Sequence, residues 1–340
     1  MPSSSPLLAA DAIESPAMRQ AGAGLLSLDL MDARNHTLQL LTLHEQAAAQ
    51  DADEALPSPG TEAEDLFPIP DAQPLWLAGY AGWFAERWIG RNTQRNLGPA
   101  CPVQPMRLAS IQPQADSWWN PRLQTQDGAA TTDLPDTEAT RSYLLETLES
   151  TLELLDKAAP DDAALYFYRL ALQHEDLCGE ALVVQAQAQG VPLTIDLPAA
   201  IPPAEAVMLP SAPWTLGLGH AAGGSGFAFD IEQGHQQTLV PEFEIDAHPV
   251  SWAQYVEFVA DGGYDREALW HPAGWAWLQG ADGGQARRAP RYVDRIGAAN
   301  GAVMLTRFGK PMRMAGQQLA MHLSWWEADA WCRWAGRRLP

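Results

Sequence analysis

His174 and Cys178 stand four residues apart in the run Leu172-Gln-His-Glu-Asp-Leu-Cys-Gly-Glu180, a spacing that puts two side chains on one face of an α-helix. Imidazole and thiolate both bind metals, and helical bundles build metal centres from side chains that face inward. Phe167, Ala171, Ala181 and Gln185 recur at helical spacing around the pair. The pair is therefore expected to face the interior of a bundle and not water.

Such a site needs helices to position it, and four are expected in the first half of the chain. The first covers 25–49, with Arg34, Thr37, Leu41 and His44 on one stripe. The second covers 74–90 and places Trp76, Tyr80 and Phe84 on one face, with Trp83 and Trp88 adding bulk. A third runs over 137–158, with Asp136 or Thr137 as N-cap and Leu144, Leu148, Leu152 and Leu155 as its core face. The fourth, 162–189, carries His174 and Cys178 and is ended by Gly190 and Pro192. The long connection between the second and third helices contains Pro and Trp, which reads as a crossover or an ordered functional loop.

After Pro192 the composition changes. Prolines punctuate a linker, and glycines cluster between Gly217 and Gly226. The alternating stretches 227–231 and 243–246 are expected to be short strands. Helices are expected over 251–261 and 324–336, each opened by a serine suited to capping. The many tryptophans of this half, among them Trp252, Trp270 and Trp331, read as an aromatic core where regular structure is sparse.

Composition bounds the function. A hydrophobic content of 46% with 19% charged residues is that of a globular protein, and 340 residues suit two domains. A net charge of −21 argues against nucleic acid and against an anionic membrane surface. No apolar run reaches the ~20 residues of a membrane span. Three scattered cysteines do not make a disulfide framework, so a cytoplasmic location is expected. The stretch 1–22 has neither a basic start nor an apolar block, and it reads as a disordered leader. Basic residues gather late: ten Arg or Lys against three acids over 285–340. Nothing in the sequence speaks to the oligomeric state.

Two sets of residues carry a resemblance. The stretch Phe243-Glu-Ile-Asp-Ala-His-Pro-Val-Ser-Trp-Ala-Gln-Tyr-Val-Glu-Phe-Val259, then Gly262-Gly-Tyr264, then His322-Leu-Ser-Trp-Trp-Glu-Ala-Asp-Ala-Trp-Cys-Arg-Trp-Ala-Gly-Arg-Arg-Leu-Pro340 resembles the formylglycine-generating-enzyme-like domain. Ahead of it, Pro74-Leu-Trp-Leu-Ala-Gly-Tyr-Ala-Gly-Trp-Phe84 and His174-Glu-Asp-Leu-Cys-Gly-Glu180 resemble the metal-site segments of the ergothioneine- and selenoneine-type sulfoxide synthases (EgtB-like). The implied fold is α+β: an N-terminal four-helix DinB-like bundle over 23–191, a Pro-rich linker over 192–212, and a loop-rich, C-type-lectin-like domain over 213–340. That domain is expected to be incomplete, because the family motif continues beyond the point where this chain ends, leaving Trp325, Trp331 and Trp334 partly uncovered.

The resemblance implies Fe(II) held by three histidines, with O2 used to join a thiol or selenium donor to hercynine, a trimethylated histidine. Glu175 or Glu180 would orient the ligands, and the quaternary ammonium of hercynine would favour an aromatic or acidic surround. Of the three ligand positions only His174 matches. Tyr80 stands at the first and Cys178 at the third. A Tyr/His/Cys iron site is one reading of these residues, and a decayed site is the other: Cys178 a buried hydrophobe, Tyr80 a core aromatic, His174 an interior histidine. His36 and His44 are the remaining histidines able to stand in as ligands, though a lone helical histidine is usually structural or exposed.

Overall fold

The computed structural model describes residues 16–51, 73–124, 134–194, 207–221, 224–280, 287–297 and 302–340. The chain divides into two units, Met1–Val191 with Gly217–Gln236, and Pro192–Leu216 with Gln237–Pro340. The fold is α+β, as the sequence led us to expect.

Helices α1 (Ala23–Asp51), α2 (Pro74–Ala85), α3 (Thr137–Asp156) and α4 (Asp162–Gln189) form the first unit's bundle. Their ends follow local chemistry. Proline opens α2 at a position whose N–H would be unpaired in any case. Asp136 and Asp161 cap α3 and α4 by accepting the Ala139 and Ala164 N–H groups at 2.8 and 2.9 Å. Gly190 ends α4 with φ of 72°, a conformation that costs glycine little. On α3 the buried face differs slightly from expectation. Thr140, Tyr143, Leu144, Thr147, Thr151 and Leu155 are buried, while Leu148 and Leu152 are only partly covered.

Helix α2 stops five residues earlier than expected, and a π-helical turn over Glu86–Gly90 follows it. Such turns re-aim side chains. Here Glu86 is buried and accepts hydrogen bonds from the Tyr143 hydroxyl at 2.6 Å, the Ile111 N–H at 2.7 Å and the Ser110 hydroxyl at 2.8 Å. That carboxylate ties the crossover to the bundle. Asp116 does the same from the other side, accepting from Arg91 at 2.8 and 2.9 Å and from the Trp83 indole at 2.8 Å. Trp119 packs directly on Gly79, where a Cβ would lie 2.1 Å from the indole, so a side chain there has no room. Residues 125–133 of the crossover lie outside the described residues.

Four expectations need correction. The leader expected over 1–22 is ordered from residue 16: Pro16–Gln20 forms a 3-10 turn, Met18 and Ala21 are buried, and Arg169 donates to the Ala21 carbonyl at 2.9 Å. Residues 1–15 lie outside the described residues. The strand expected over 227–231 is instead an irregular segment ending in a 3-10 turn, Asp230–Glu232. Its aromatics point into the bundle, with Phe227 against Tyr166, and Glu232 pairs with Arg19 at 2.8 Å. The boundary expected at 213 therefore does not hold for 217–236, which belong to the first unit. The linker expected over 192–212 ends in a strand, and 195–206 lie outside the described residues.

In the second unit, β1 (Met208–Ser211) pairs antiparallel with β2 (Phe243–Asp246), Leu209 opposite Ile245. A ribbon of Trp214–Leu218 with Gln236–Val240 lies where the chain leaves and re-enters this unit. Strands β3 (Val293–Gly297), β4 (Ala302–Arg307) and β5 (Lys310–Met314) make an antiparallel sheet in that order. Helices α5 (Trp252–Ala260), α6 (Pro272–Leu278) and α7 (Trp325–Trp334) complete it. Ser251 with Gln254 and Ser324 with Glu327 form reciprocal caps at α5 and α7. The core is aromatic, with Trp252, Tyr255, Phe258, Tyr264, Trp270 and Trp331 buried. Glu327 also accepts from the Tyr264 hydroxyl at 2.6 Å, which fixes α7 to the core. Trp325 is exposed, Trp334 is partly covered, and Trp331, expected to be partly uncovered, is buried.

Candidate functional site

Helices α2 and α4 bring Tyr80, His174 and Cys178 together. The Tyr80 ring meets the His174 imidazole edge-on, with centroids 4.6 Å apart, and Cys178 Sγ lies 3.8 Å from His174 Nδ1. Phe84, one turn beyond Tyr80, stacks on the imidazole face at 3.7 Å with only 4° between the planes. Trp76 stacks on Tyr80 at 4.7 Å. The spacing of Trp76, Tyr80 and Phe84 on α2, and of His174 and Cys178 on α4, makes this convergence a direct result of two helical stripes facing each other.

The cluster is electrically neutral. Burial pulls the His174 imidazole down to about 3, because a charged ring would lose its hydration. Burial pushes the Tyr80 phenol up to about 12, with Cys178 adding to the effect. The Cys178 thiol is pushed well up by burial and then by Glu175. At neutral pH the three side chains are thus imidazole, phenol and thiol.

Glu175, adjacent to His174 in the chain, takes part in a different network. Arg34 Nε donates to Glu175 Oε1 at 2.6 Å and Nη2 to Oε2 at 2.9 Å, with both side chains almost wholly buried. The Thr37 hydroxyl adds a bond to Oε1 at 3.2 Å, and Arg34 Nη1 reaches Thr147 and the Leu144 carbonyl. Sequence reasoning placed Arg34 and Thr37 on one stripe of α1, and the structure buries both. An arginine in a core requires a carboxylate across from it. Glu175 is therefore committed to Arg34, and Glu180 is exposed. Of the two histidines on α1, His36 is exposed. His44 is buried with Nε2 at 3.0 Å from the Leu182 carbonyl, and burial lowers its pKa.

These residues do not suit an iron centre of the kind the resemblance implies. Only one donor is an imidazole, and the phenol and thiol would each have to lose a proton to bind a metal. Metal-binding histidines normally donate their other N–H to a carboxylate or carbonyl that fixes the ring. At His174 the neighbouring groups are a thiol and two aromatic faces. Among the described residues no group of three or more His, Cys, Asp and Glu side chains is placed to hold a metal ion. Nor, among these residues, is any helix long and apolar enough to cross a membrane.

Comparison with known proteins agrees with the motifs. Residues 198–340 match the sulfatase-modifying factor enzyme 1-like domain. The chain is 28% identical over 272 residues to the hercynine oxygenase of Mycolicibacterium smegmatis, covering 78% of this chain and 58% of that protein. It is 24% identical over 322 residues to the hercynine oxygenase of Mycolicibacterium thermoresistibile, covering 93% of this chain and 64% of the relative. A third hercynine oxygenase, from Mycobacterium tuberculosis, is 28% identical over 204 residues. The chain spans less than two thirds of the length of these curated relatives. It carries a sulfatase-modifying-factor-like domain behind a helical bundle and is similar to the hercynine oxygenases across both.

Proposed function

We propose that this protein is a hercynine-binding relative of the oxygenases whose bundle does not perform metal-dependent oxygen chemistry. One observation carries the reading: the three positions that the resemblance assigns to histidine ligands hold Tyr80, His174 and Cys178, packed by Phe84 into a neutral aromatic cluster. In the sulfoxide synthases the chain resembles, Fe(II) and O2 serve to join a thiol or selenium donor to hercynine. Here the side chains at those positions act differently. His174 stays neutral, with one ring nitrogen donating and the other accepting, and Tyr80 keeps its proton at physiological pH.

Purified protein incubated in air with hercynine, Fe(II) and, in turn, cysteine, γ-glutamylcysteine and a selenosugar is expected to give no coupled product. It is also expected to retain little iron, and Tyr80→His with Cys178→His is expected to raise its iron content, since three neutral imidazoles suit iron. Calorimetry is expected to show saturable binding of hercynine without iron. Stoichiometric iron or coupled product in the unaltered protein would overturn the loss of chemistry, and failure to bind hercynine would overturn the binding role.

A further inference from the structure

The basic excess over 285–340, ten Arg or Lys against three acids, plays no part in the bundle site. All three acids are engaged. The Thr306 hydroxyl donates to Asp294 at 2.9 Å, Glu327 accepts from the Ser324 N–H at 2.8 Å and the Tyr264 hydroxyl at 2.6 Å, and Asp329 pairs with Arg333 at 2.9 Å. Two of the cations meet at one end of the β3–β4–β5 sheet. The Thr306 N–H donates to the Tyr292 carbonyl at 2.9 Å, which sets the flanking residues Arg291 and Arg307 at the same end. Arg291 Cζ lies 4.8 Å from the centre of the Tyr292 ring, and Arg307 Cζ lies 5.6 Å from that of Phe308. His322, two residues before the Ser324 cap of α7, meets Tyr292 edge-on with ring centroids 5.0 Å apart.

Backbone conformation sets this corner apart. Among the described residues, Tyr292, Phe308 and His322 alone combine a side chain with positive φ, at 62°, 46° and 62°. Phe308 owes this to the two-residue turn between the paired Arg307 and Lys310. Tyr292 is third in a turn closed from the Val293 N–H to the Pro290 carbonyl at 3.2 Å, a place that usually goes to Gly or Asn. Such conformations persist where the surroundings impose them, and they gather at binding sites. Arg291, Tyr292, Arg307 and His322 are all half-buried, held by protein yet open to a small solute. Burial, then Arg307 and Arg291, hold the His322 imidazole below its ordinary value, and no acid offsets the two cations there. We propose that this corner of the second unit binds a tetrahedral oxyanion of the phosphate type, gripped by the Arg291 and Arg307 guanidinium groups and the His322 imidazole. Guanidinium groups suit phosphate because their paired N–H donors match two of its oxygens. A dianion set between the arginines offsets their repulsion and lets the imidazole take up a proton, which makes both ring nitrogens donors. The site goes beyond the proposed function, since it lies in the second unit and involves neither iron nor hercynine.

Calorimetric titration of the full chain with inorganic phosphate and with glycerol phosphate, against sodium chloride of equal ionic strength, tests this, with the histidine ring protons followed by NMR. Saturable binding is expected for a phosphate and not for chloride, and the tighter of the two phosphates tells a free ion from a monoester as the source. One histidine is expected to titrate about one pH unit or more higher with the anion bound, as a nearby opposite charge implies. His322→Asn, which suits left-handed backbone, is expected to delete that signal. Arg307→Gln is expected to weaken phosphate binding about ten-fold, and Arg307→Lys, which keeps the charge and loses the paired donors, to restore only part of it. Absence of saturable binding by either phosphate, binding that moves no histidine signal, or undiminished binding in Arg307→Gln would each overturn the proposal. The first two results come from the unaltered protein, so they decide the matter even if a variant fails to fold.

Discussion

Glu175 and His174 are neighbours on α4, and the bundle treats them in opposite ways. Glu175 is a buried charge fully matched by Arg34, Thr37 and the geometry of a bidentate pair. His174 is a neutral ring held by Phe84, Tyr80 and the Cys178 thiol. A single step of about 100° around a helix thus separates an ionic network from an aromatic one. The contrast teaches that a polar residue inside a bundle is defined by what faces it and not by its own type. The ionic network is expected not to tolerate the loss of either partner alone, whereas the aromatic cluster behaves as ordinary core.

The largest effect is expected at the ionic network. Arg34→Leu leaves Glu175 buried and uncompensated, a loss of about 3–5 kcal/mol, whereas Arg34→Leu combined with Glu175→Leu is expected to cost far less. Denaturant unfolding of the three proteins measures this, and equal losses in the single and double variants would erase the distinction drawn between the two networks.

Next come substitutions in the aromatic cluster. Phe84→Ala removes the ring stacked on His174 and is expected to cost about 2 kcal/mol, below the usual range for a wholly buried Phe because Phe84 is half-buried. His174→Leu, close in volume and free of polar atoms, is expected to cost less than about 1.5 kcal/mol at neutral pH. Acid separates it further from the unaltered protein. The His174 pKa is lowered on folding, so the stability it contributes is complete above its unfolded value of about 6.5 and is lost as pH falls toward 3. His174→Leu should flatten that part of the pH–stability curve, and a histidine carrying charge near pH 6 by NMR titration would contradict the neutral cluster.

The smallest effect has the opposite sign. Asp29 on α1 is raised to about 6 by burial and by Asp32, and Asp176 on α4 is raised to about 6 by burial and by Asp29. Their protonated forms are favoured by folding, so their contribution is full below about 3.9 and is lost as pH rises through 6. Asp29→Asn is therefore expected to stabilise the protein by a few tenths of a kcal/mol above pH 6, a partly exposed and screened effect. Thermal melting at pH 7.5 and pH 4 should show the gain at the first and not at the second.

Local sequence determined the long helices and most of their faces, but not the irregular segment 227–231 or the π-turn after α2. Caps at Asp136, Ser251 and Ser324, and the stop at Gly190, act over three or four residues and were legible directly, whereas the Asp161 cap was not singled out. The helical stripes that carry Tyr80, His174 and Cys178 rest on the same short-range periodicity, as does the inward place of Arg34, Thr37 and His44. The tertiary structure decided what each inward residue meets. Arg34 finds Glu175 across 141 residues of chain, Phe84 takes the face of His174, and Glu232 draws residues 217–236 onto the bundle through Arg19. It also left the Arg107 Nε and Nη2, beside Trp88, without an acceptor. Periodicity fixes the direction in which a side chain points, but its partner depends on packing between segments distant in sequence, and no local pattern records that choice.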